Sequence, residues 1–162
     1  MEKAKANPTL RFLGIEINYN AFSIAIKKSE DTSYLPTMKN YAFLNVPFAK
    51  ALPLMAKGSV REIYLNFPDP WPKKRQFKRR LTFPSRLAEY YGLLKKGGKV
   101  FFKTDNKDLF SASEQYFAQF GGFAIEFSGI YEADDPSDVM TEFEAKFRGL
   151  GQPIYRIVAR KE

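Results

Sequence analysis

Short apolar segments alternate with helix-forming segments along most of this chain, and the alternation limits the folds that the sequence can adopt. Runs rich in β-branched and aromatic residues predict strands at 10–17, 40–46, 60–67, 99–103, 123–127 and 154–160. Helical periodicity and capping residues predict helices at 18–29, 48–56, 84–95, 108–120 and 140–148. Strands that alternate with helices indicate an α/β fold with a mostly parallel sheet.

Two residue types that support much of enzyme chemistry are missing, since the 162 residues include neither cysteine nor histidine. Disulfides and thiolate metal sites are therefore excluded. The lack of histidine also excludes the usual general base, the serine and cysteine triads and most zinc sites. No metal is expected. Any catalysis must rely on carboxylates, lysines, tyrosines or orientation alone. No apolar run approaches the ~18 residues of a membrane span, so no membrane association is expected.

The length suits one domain with its own core, and we predict a single domain over residues 1–162. The net charge of +8 favours a polyanionic partner, nucleic acid above all, although a generally basic surface is an alternative. Clustering favours nucleic acid, because eight consecutive positions hold six cations. They are Lys73, Lys74, Arg75, Lys78, Arg79 and Arg80.

Ligands of parallel α/β sheets bind at the carboxyl ends of the strands. Three of the predicted strands end in polar or acidic residues at Glu16, at 66–69 and at Thr104-Asp105. These three strand ends are the candidate binding residues.

The second of these strand ends has an unusual composition, with three prolines among the five residues 68–72. Prolines fix φ and remove backbone donors, so this loop is stiff before any ligand arrives. Asp69 lies between two of the prolines, and Trp71 offers a flat aromatic face. A rigid carboxylate beside such a face suits a heterocyclic base. A rigid connection that leads into a solvated basic segment is the alternative, and the complete string 66–80 favours base binding.

That string resembles the signature of bacterial tRNA (guanine-N7)-methyltransferases, which covers Tyr64–Arg75 and continues through residues 78–81. Other matching segments follow the family order at 14–17, 97–98, 102–106, 140–147 and 151–156. The resemblance covers essentially the whole chain. The segment around Asp69 is specific, whereas Gly14-Ile15-Glu16 alone is a weak signal.

The resemblance implies a Rossmann-like, S-adenosylmethionine-dependent methyltransferase sheet. It further implies a cytoplasmic enzyme that methylates N7 of a guanine in the variable loop of tRNA. Glu16 matches the acid that binds the methyl donor, and Asp69 matches the residue assigned to catalysis and to the donor site. The positions that match tRNA contacts are Lys73, Asp105, Thr141, Glu142, Phe143 and Glu144. Asp105 and Thr141 can also cap helices, a role that is compatible with tRNA binding.

The basic run would then supply affinity for tRNA phosphates. The members of this expected patch are Lys74, Arg75, Lys78, Arg79 and Arg80.

Two features depart from the family pattern. The acid that corresponds to Glu16 typically lies about 20 residues beyond a glycine-rich loop, and that count places the loop and its strand before residue 1. We therefore expect an N-terminally truncated domain whose first strand is missing. Pro47 also stands where the family usually has an acid near the adenine.

These departures leave two hypotheses open, a methyltransferase and a remnant that binds tRNA without transferring a methyl group. Methylation of an exocyclic amine is a third possibility, and the charge of Asp69 argues against it.

Overall fold

The strands of the computed structural model, which describes residues 2–30, 40–136 and 138–162, form two sheets. One sheet lies in each of two compact units, Met1–Met55 and Ala56–Glu162. The expectation of a single domain over 1–162 stays a prediction.

The first unit contains a parallel pair of strands. Its elements are α1 (Glu2–Ala6), β1 (Phe12–Ile15), α2 (Tyr19–Ser29), β2 (Tyr41–Leu44) and α3 (Phe48–Ala51). Asn18 caps α2 as predicted, because its side chain accepts hydrogen bonds from the backbone of Asn20 at 2.9 Å and of Ala21 at 3.2 Å. The helix predicted over 48–56 is shorter than expected and continues as a 3-10 turn, Leu52–Leu54. Pro53 has no backbone N–H and so cannot continue the helical pattern.

The second unit contains a mixed sheet of four strands. Its elements are β3 (Val60–Asn66), α4 (Pro84–Leu93), β4 (Leu94–Thr104), α5 (Lys107–Phe120), β5 (Phe123–Ile130), α6 (Glu142–Gly149) and β6 (Tyr155–Lys161). The strand order is β3-β4-β6-β5, with β3 and β4 parallel and β6 antiparallel to both of its neighbours. This arrangement confirms an α/β fold. The sheet of this unit is less parallel than predicted, because β6 returns between β4 and β5.

The core of the second unit lies where α4 and α5 pack together and against the sheet. Leu87 of α4, Phe117 of α5 and Phe102 of β4 are almost completely buried. Each such side chain contributes roughly 1.5–3 kcal/mol by leaving water. This core fixes β3 and β4 and therefore the loops that follow their carboxyl ends.

The predicted boundary between α4 and β4 at Gly97-Gly98 is wrong. The helix ends at Leu93, and β4 begins at Leu94, which pairs with Val60. Regular pairing resumes at Lys99, so residues 95–98 form a bulge in the ladder. Leu94 is fully buried, and this burial favours an early start of the strand.

The cap of α5 is Asn106, whose Oδ1 accepts a hydrogen bond from the backbone of Leu109 at 2.8 Å. The capping role considered for Asp105 therefore belongs to its neighbour. The capping role considered for Thr141 is confirmed, because its Oγ1 accepts a hydrogen bond from the backbone of Glu144 at 3.1 Å.

Replacing the cap should therefore weaken α5. We expect Asn106→Ala to lower the free energy of unfolding by about 1 kcal/mol, because one backbone donor of the first turn loses its partner. Urea denaturation followed by circular dichroism measures this loss. Asp105→Ala is the matched control and should cost clearly less. Equal losses for the two variants would contradict the assignment of the cap.

Candidate functional site

The carboxyl ends of β3 and β4 lie at the same edge of the sheet. Asn66 pairs with Lys103, and the backbone of Phe67 donates a further hydrogen bond to the Lys103 carbonyl oxygen at 2.8 Å. Beyond this bond the chain enters the proline-rich segment, while Asp105 follows the end of β4. The sheet thus brings together two of the three predicted strand ends, 66–69 and 104–105.

The backbone is strained on both sides of Asp69. Phe67 has a φ of 50° and Trp71 a φ of 43°, and non-glycine residues rarely adopt this left-handed region. Such conformations cost on the order of 1–3 kcal/mol each and persist where surrounding contacts hold them. At Phe67 those contacts come from α6, because its ring centroid lies 6.2 Å from that of Phe143 and 5.8 Å from that of Phe147.

The Asp69 side chain is exposed at this edge. Within residues 2–30, 40–136 and 138–162, no hydrogen-bond donor or cation contacts its carboxylate. The flanking Pro68 and Pro70 restrict the directions that the carboxylate can take. A carboxylate that is restricted but unpaired in the described part of the protein is available to a ligand.

Five cations next to Asp69 form an exposed surface that we call the basic surface. Its members are Lys73, Lys74, Arg75, Lys78 and Arg79, and the last four lie in a 3-10 helix, Lys74–Arg79. The Arg79 guanidinium carbon lies 4.9 Å from the centroid of the Trp71 ring. One face of that ring is therefore covered by a cation.

Arg80, the remaining member of the expected basic patch, is not part of the basic surface, since only 4% of this residue is exposed. Its Nε donates a hydrogen bond to the carbonyl oxygen of Pro70 at 2.9 Å, and one Nη donates to that of Trp71 at 3.4 Å. The guanidinium carbon also lies 3.8 Å from the centroid of the Phe77 ring. Arg80 thus contacts the loop that carries Asp69.

Glu144, which the resemblance places among the tRNA contacts, is fully buried and lies in an internal ion-pair network. Its Oε2 lies 2.7 Å from Lys103 Nζ, and its Oε1 lies 3.0 Å from an Nη of Arg148. Lys103 also pairs with Asp138, and it is only 2% exposed. The network attaches α6 to the end of β4 and engages both carboxylate oxygens of Glu144 inside the protein. The tRNA contact expected at Glu144 stays a prediction.

Tyr131, which follows β5, lies beside Lys103 and Arg148, whose Nζ and guanidinium carbon are 4.9 and 5.6 Å from its ring centroid. The Arg156 guanidinium carbon is 4.4 Å from its ring centroid, and an Nη of Arg156 pairs with Asp135 at 2.9 Å. Burial and a hydrogen bond with Asp138 raise the pKa of Tyr131 to about 12. Asp135 and Asp138 therefore form ion pairs with Arg156 and Lys103, two cations of the sheet. The sequence signal for these ion pairs was Lys103, a cation that directly follows the apolar residues 100–102 of a predicted strand.

The other residues of the 141–144 motif lie nearer to the surface. Thr141 caps α6, Glu142 is exposed, and Phe143 is 61% exposed while it stacks on Phe67. The stack places the motif next to the strained segment that leads to Asp69.

Glu16 follows β1 in the first unit. Its backbone donates to Leu44 at 3.0 Å, and its Oε1 accepts a hydrogen bond from the backbone of Asn18 at 2.7 Å. Its other carboxylate oxygen has no partner in the part of the chain that the structure describes. A half-exposed carboxylate with one unoccupied oxygen can accept hydrogen bonds from the hydroxyl groups of a ligand.

Similarity to known proteins shows the family to which the chain belongs. Residues 1–157 match the family described as a putative methyltransferase. The chain belongs to this family. A tRNA (guanine-N(7)-)-methyltransferase of Bacillus subtilis is 39% identical over 154 residues, which are 94% of this chain and 70% of that protein. A protein of the same description from Streptococcus sanguinis is 39% identical over 163 residues, 98% of this chain and 74% of that protein.

Solved structures show the same methyltransferase fold at low sequence identity. A 16S rRNA methyltransferase, KamB, has a TM-score of 0.70 at 13% identity, and the match covers 99% of this chain and 81% of that one. An antibiotic-related methyltransferase has a TM-score of 0.65 at 21% identity, with 99% and 80% covered. These similarities confirm the Rossmann-like methyltransferase fold.

Within the described residues, no group of three or more His, Cys, Asp or Glu side chains could hold a metal ion. None of the described helices is both long and apolar enough to cross a membrane.

Glu144 should be a stability residue in this methyltransferase. We expect Glu144→Gln to lower the free energy of unfolding by about 1.5–3 kcal/mol, because Lys103 and Arg148 lose their shared carboxylate while Lys103 keeps its ion pair with Asp138. Urea denaturation measures the loss. The exposed Glu142→Gln on the same helix is the matched control and should change stability little. A Glu144→Gln protein as stable as this control would contradict the structural role.

Proposed function

We propose that this chain acts as a tRNA (guanine-N7)-methyltransferase, which transfers a methyl group from S-adenosylmethionine to N7 of a guanine in the variable loop of tRNA. The observation that carries the proposal is the exposed Asp69 carboxylate, which has no partner among the described residues and is held between two prolines where the basic surface begins. Relatives of the same description, 38–40% identical to this chain, support it. A cytoplasmic location is part of the proposal, and the proposed tRNA substrate supports it.

Glu16 suits the methyl donor. Its other carboxylate oxygen, which has no partner among the residues that the structure describes, can accept hydrogen bonds from the ribose hydroxyls of S-adenosylmethionine, as acids at such strand ends do for other nucleotides. The hydrogen bond from the Asn18 backbone holds the other oxygen and so restricts the carboxylate. When bound, the donor supplies a methyl group on a positively charged sulfur.

The absence of histidine fits this chemistry. Guanine N7 carries an in-plane lone pair, so no proton has to be removed before the nitrogen attacks. Positive charge develops on the purine ring during transfer. The protein has to align the base and place negative charge beside it. Asp69 supplies both functions in this proposal, and it does not act as an obligatory base.

The tRNA contacts divide into two groups. The basic surface binds phosphates, which position the RNA without reading its sequence. Asp105, Thr141, Glu142 and Phe143 lie at or near the edge that carries Asp69 and contact the nucleotides around the target guanine. The exposed Phe143 ring offers a stacking face for a base.

Asp69 is tested by replacement in the full chain. We expect Asp69→Asn to slow single-turnover methyl transfer at least about tenfold and Asp69→Ala to slow it further, since one removes the charge and the other also removes the hydrogen-bond acceptor. Labelled methyl incorporation into tRNA measures the rate. Rates near that of the unaltered protein for both variants would remove Asp69 from the reaction.

The product identifies the reaction itself. Nucleosides from the treated tRNA should contain 7-methylguanosine in the variable loop. A methyl group on an exocyclic amine would reject the N7 assignment. Binding of tRNA with no methylated product would support the remnant hypothesis instead.

The basic surface is tested by the salt dependence of tRNA binding. Replacing Lys74, Lys78 and Arg79 with Gln should reduce the slope of log K against log salt by about 0.7–0.9 for each phosphate that the protein no longer neutralises. Filter binding at several salt concentrations measures the slope. The matched control replaces Lys57, Lys95 and Lys96, three exposed cations at the opposite end of β3 and β4. An equal change in the control would show that the effect is net charge alone.

A further inference from the structure

The basic run contains one cation whose surroundings differ from those of its neighbours. Arg79 is exposed, whereas the adjacent Arg80 is 4% exposed. Among the described residues no carboxylate pairs with Arg80, and its guanidinium contacts carbonyl oxygens, the Phe77 ring and, at 3.4 Å, the Tyr116 hydroxyl. Burying a cation without an anion is costly. The contacts that keep it buried therefore indicate what it does.

Those contacts join the two ends of one loop. Arg80 follows the 3-10 helix, and its own backbone donates to the Phe77 carbonyl oxygen at 3.0 Å. Its side chain reaches back across the loop to the carbonyl oxygens of Pro70 and Trp71, at 2.9 and 3.4 Å. The guanidinium thus links the two ends of segment 70–80 directly beside Asp69.

Segment 70–80 includes a strained residue. Trp71 has a φ of 43°, a conformation that needs outside contacts to persist. Phe67, on the other side of Asp69, is held by aromatic rings of α6, while Trp71 is held by Arg80 at its carbonyl and by Arg79 at its ring. Asp69 thus lies between two strained residues, Phe67 and Trp71, whose conformations are stabilised by these contacts.

We infer that Arg80 is a positioning residue that fixes the Asp69 loop for methyl transfer and is not a tRNA phosphate contact. This inference rests on the proposed function. A forked guanidinium donates in two directions at once, whereas a lysine ammonium on a flexible stem cannot reproduce that geometry. Arg80→Lys keeps the charge and loses the fork, so it separates positioning from phosphate binding.

The first experiment uses the fluorescence of Trp71, which is the protein's only tryptophan. In the full chain without ligands, we expect Arg80→Lys to lower the anisotropy of Trp71 and to increase its quenching by acrylamide. Arg61→Lys, the same chemical change at an exposed arginine near the other end of β3, should change neither signal. Thermal unfolding of each variant sets a temperature at which all are folded.

The second experiment separates methyl transfer from binding in single-turnover assays with increasing enzyme. The plateau rate reports transfer within the complex, while the half-saturating concentration reports affinity and the folded fraction. We expect Arg80→Lys to lower the plateau rate roughly tenfold to a hundredfold, because small displacements of a reacting group carry losses of that order. The salt slope of tRNA binding should stay unchanged, whereas Lys78→Gln should reduce it.

Each outcome decides the inference. An unchanged anisotropy and plateau rate with a reduced salt slope would overturn it and make Arg80 a phosphate contact. A partly folded Arg80→Lys protein with an unchanged plateau rate would also overturn it, since only stability would then depend on Arg80. A chain that makes no 7-methylguanosine defeats the proposed function, and the fluorescence of Trp71 then still shows whether Arg80 holds the loop.

Discussion

The buried ion pair between Lys103 and Glu144 is the contact on which the arrangement of the second unit's ligand edge depends. It joins the end of β4 to the first turn of α6, and through α6 it places Phe143 and Phe147 against Phe67. Phe67 is the last residue before the segment that presents Asp69. Two buried charges that satisfy each other thus set the position of an exposed carboxylate to which neither is bound.

Local chemistry made part of this architecture predictable from the sequence. The cap at Asn18 and the strand that ends in the proline segment both follow from residues that are close together in the chain. Proline and asparagine act on the backbone within a few positions, so their effects need no knowledge of the fold. The family signature added the donor and the substrate.

The features that sequence reasoning missed depend on distant partners. The early start of β4 depends on the pairing of Leu94 with Val60, and the burial of Glu144 depends on Lys103, which lies 41 positions away. Arg79 and Arg80 are chemically identical neighbours, and only the turn of the backbone and the Phe77 ring separate a surface cation from a buried one. No local pattern contains that information.

The guanidinium that covers the Trp71 ring has a consequence for how a nucleotide arrives there. A base that stacks on the covered face must first displace Arg79, so stacking worth about 1–3 kcal/mol is offset by the loss of a cation–π interaction worth about 0.5–2 kcal/mol. A free nucleobase gains little from this exchange. A nucleotide within an RNA chain also offers phosphates to the displaced arginine, and in the proposed function the ring therefore favours such a nucleotide over a free nucleobase without reading which base it is.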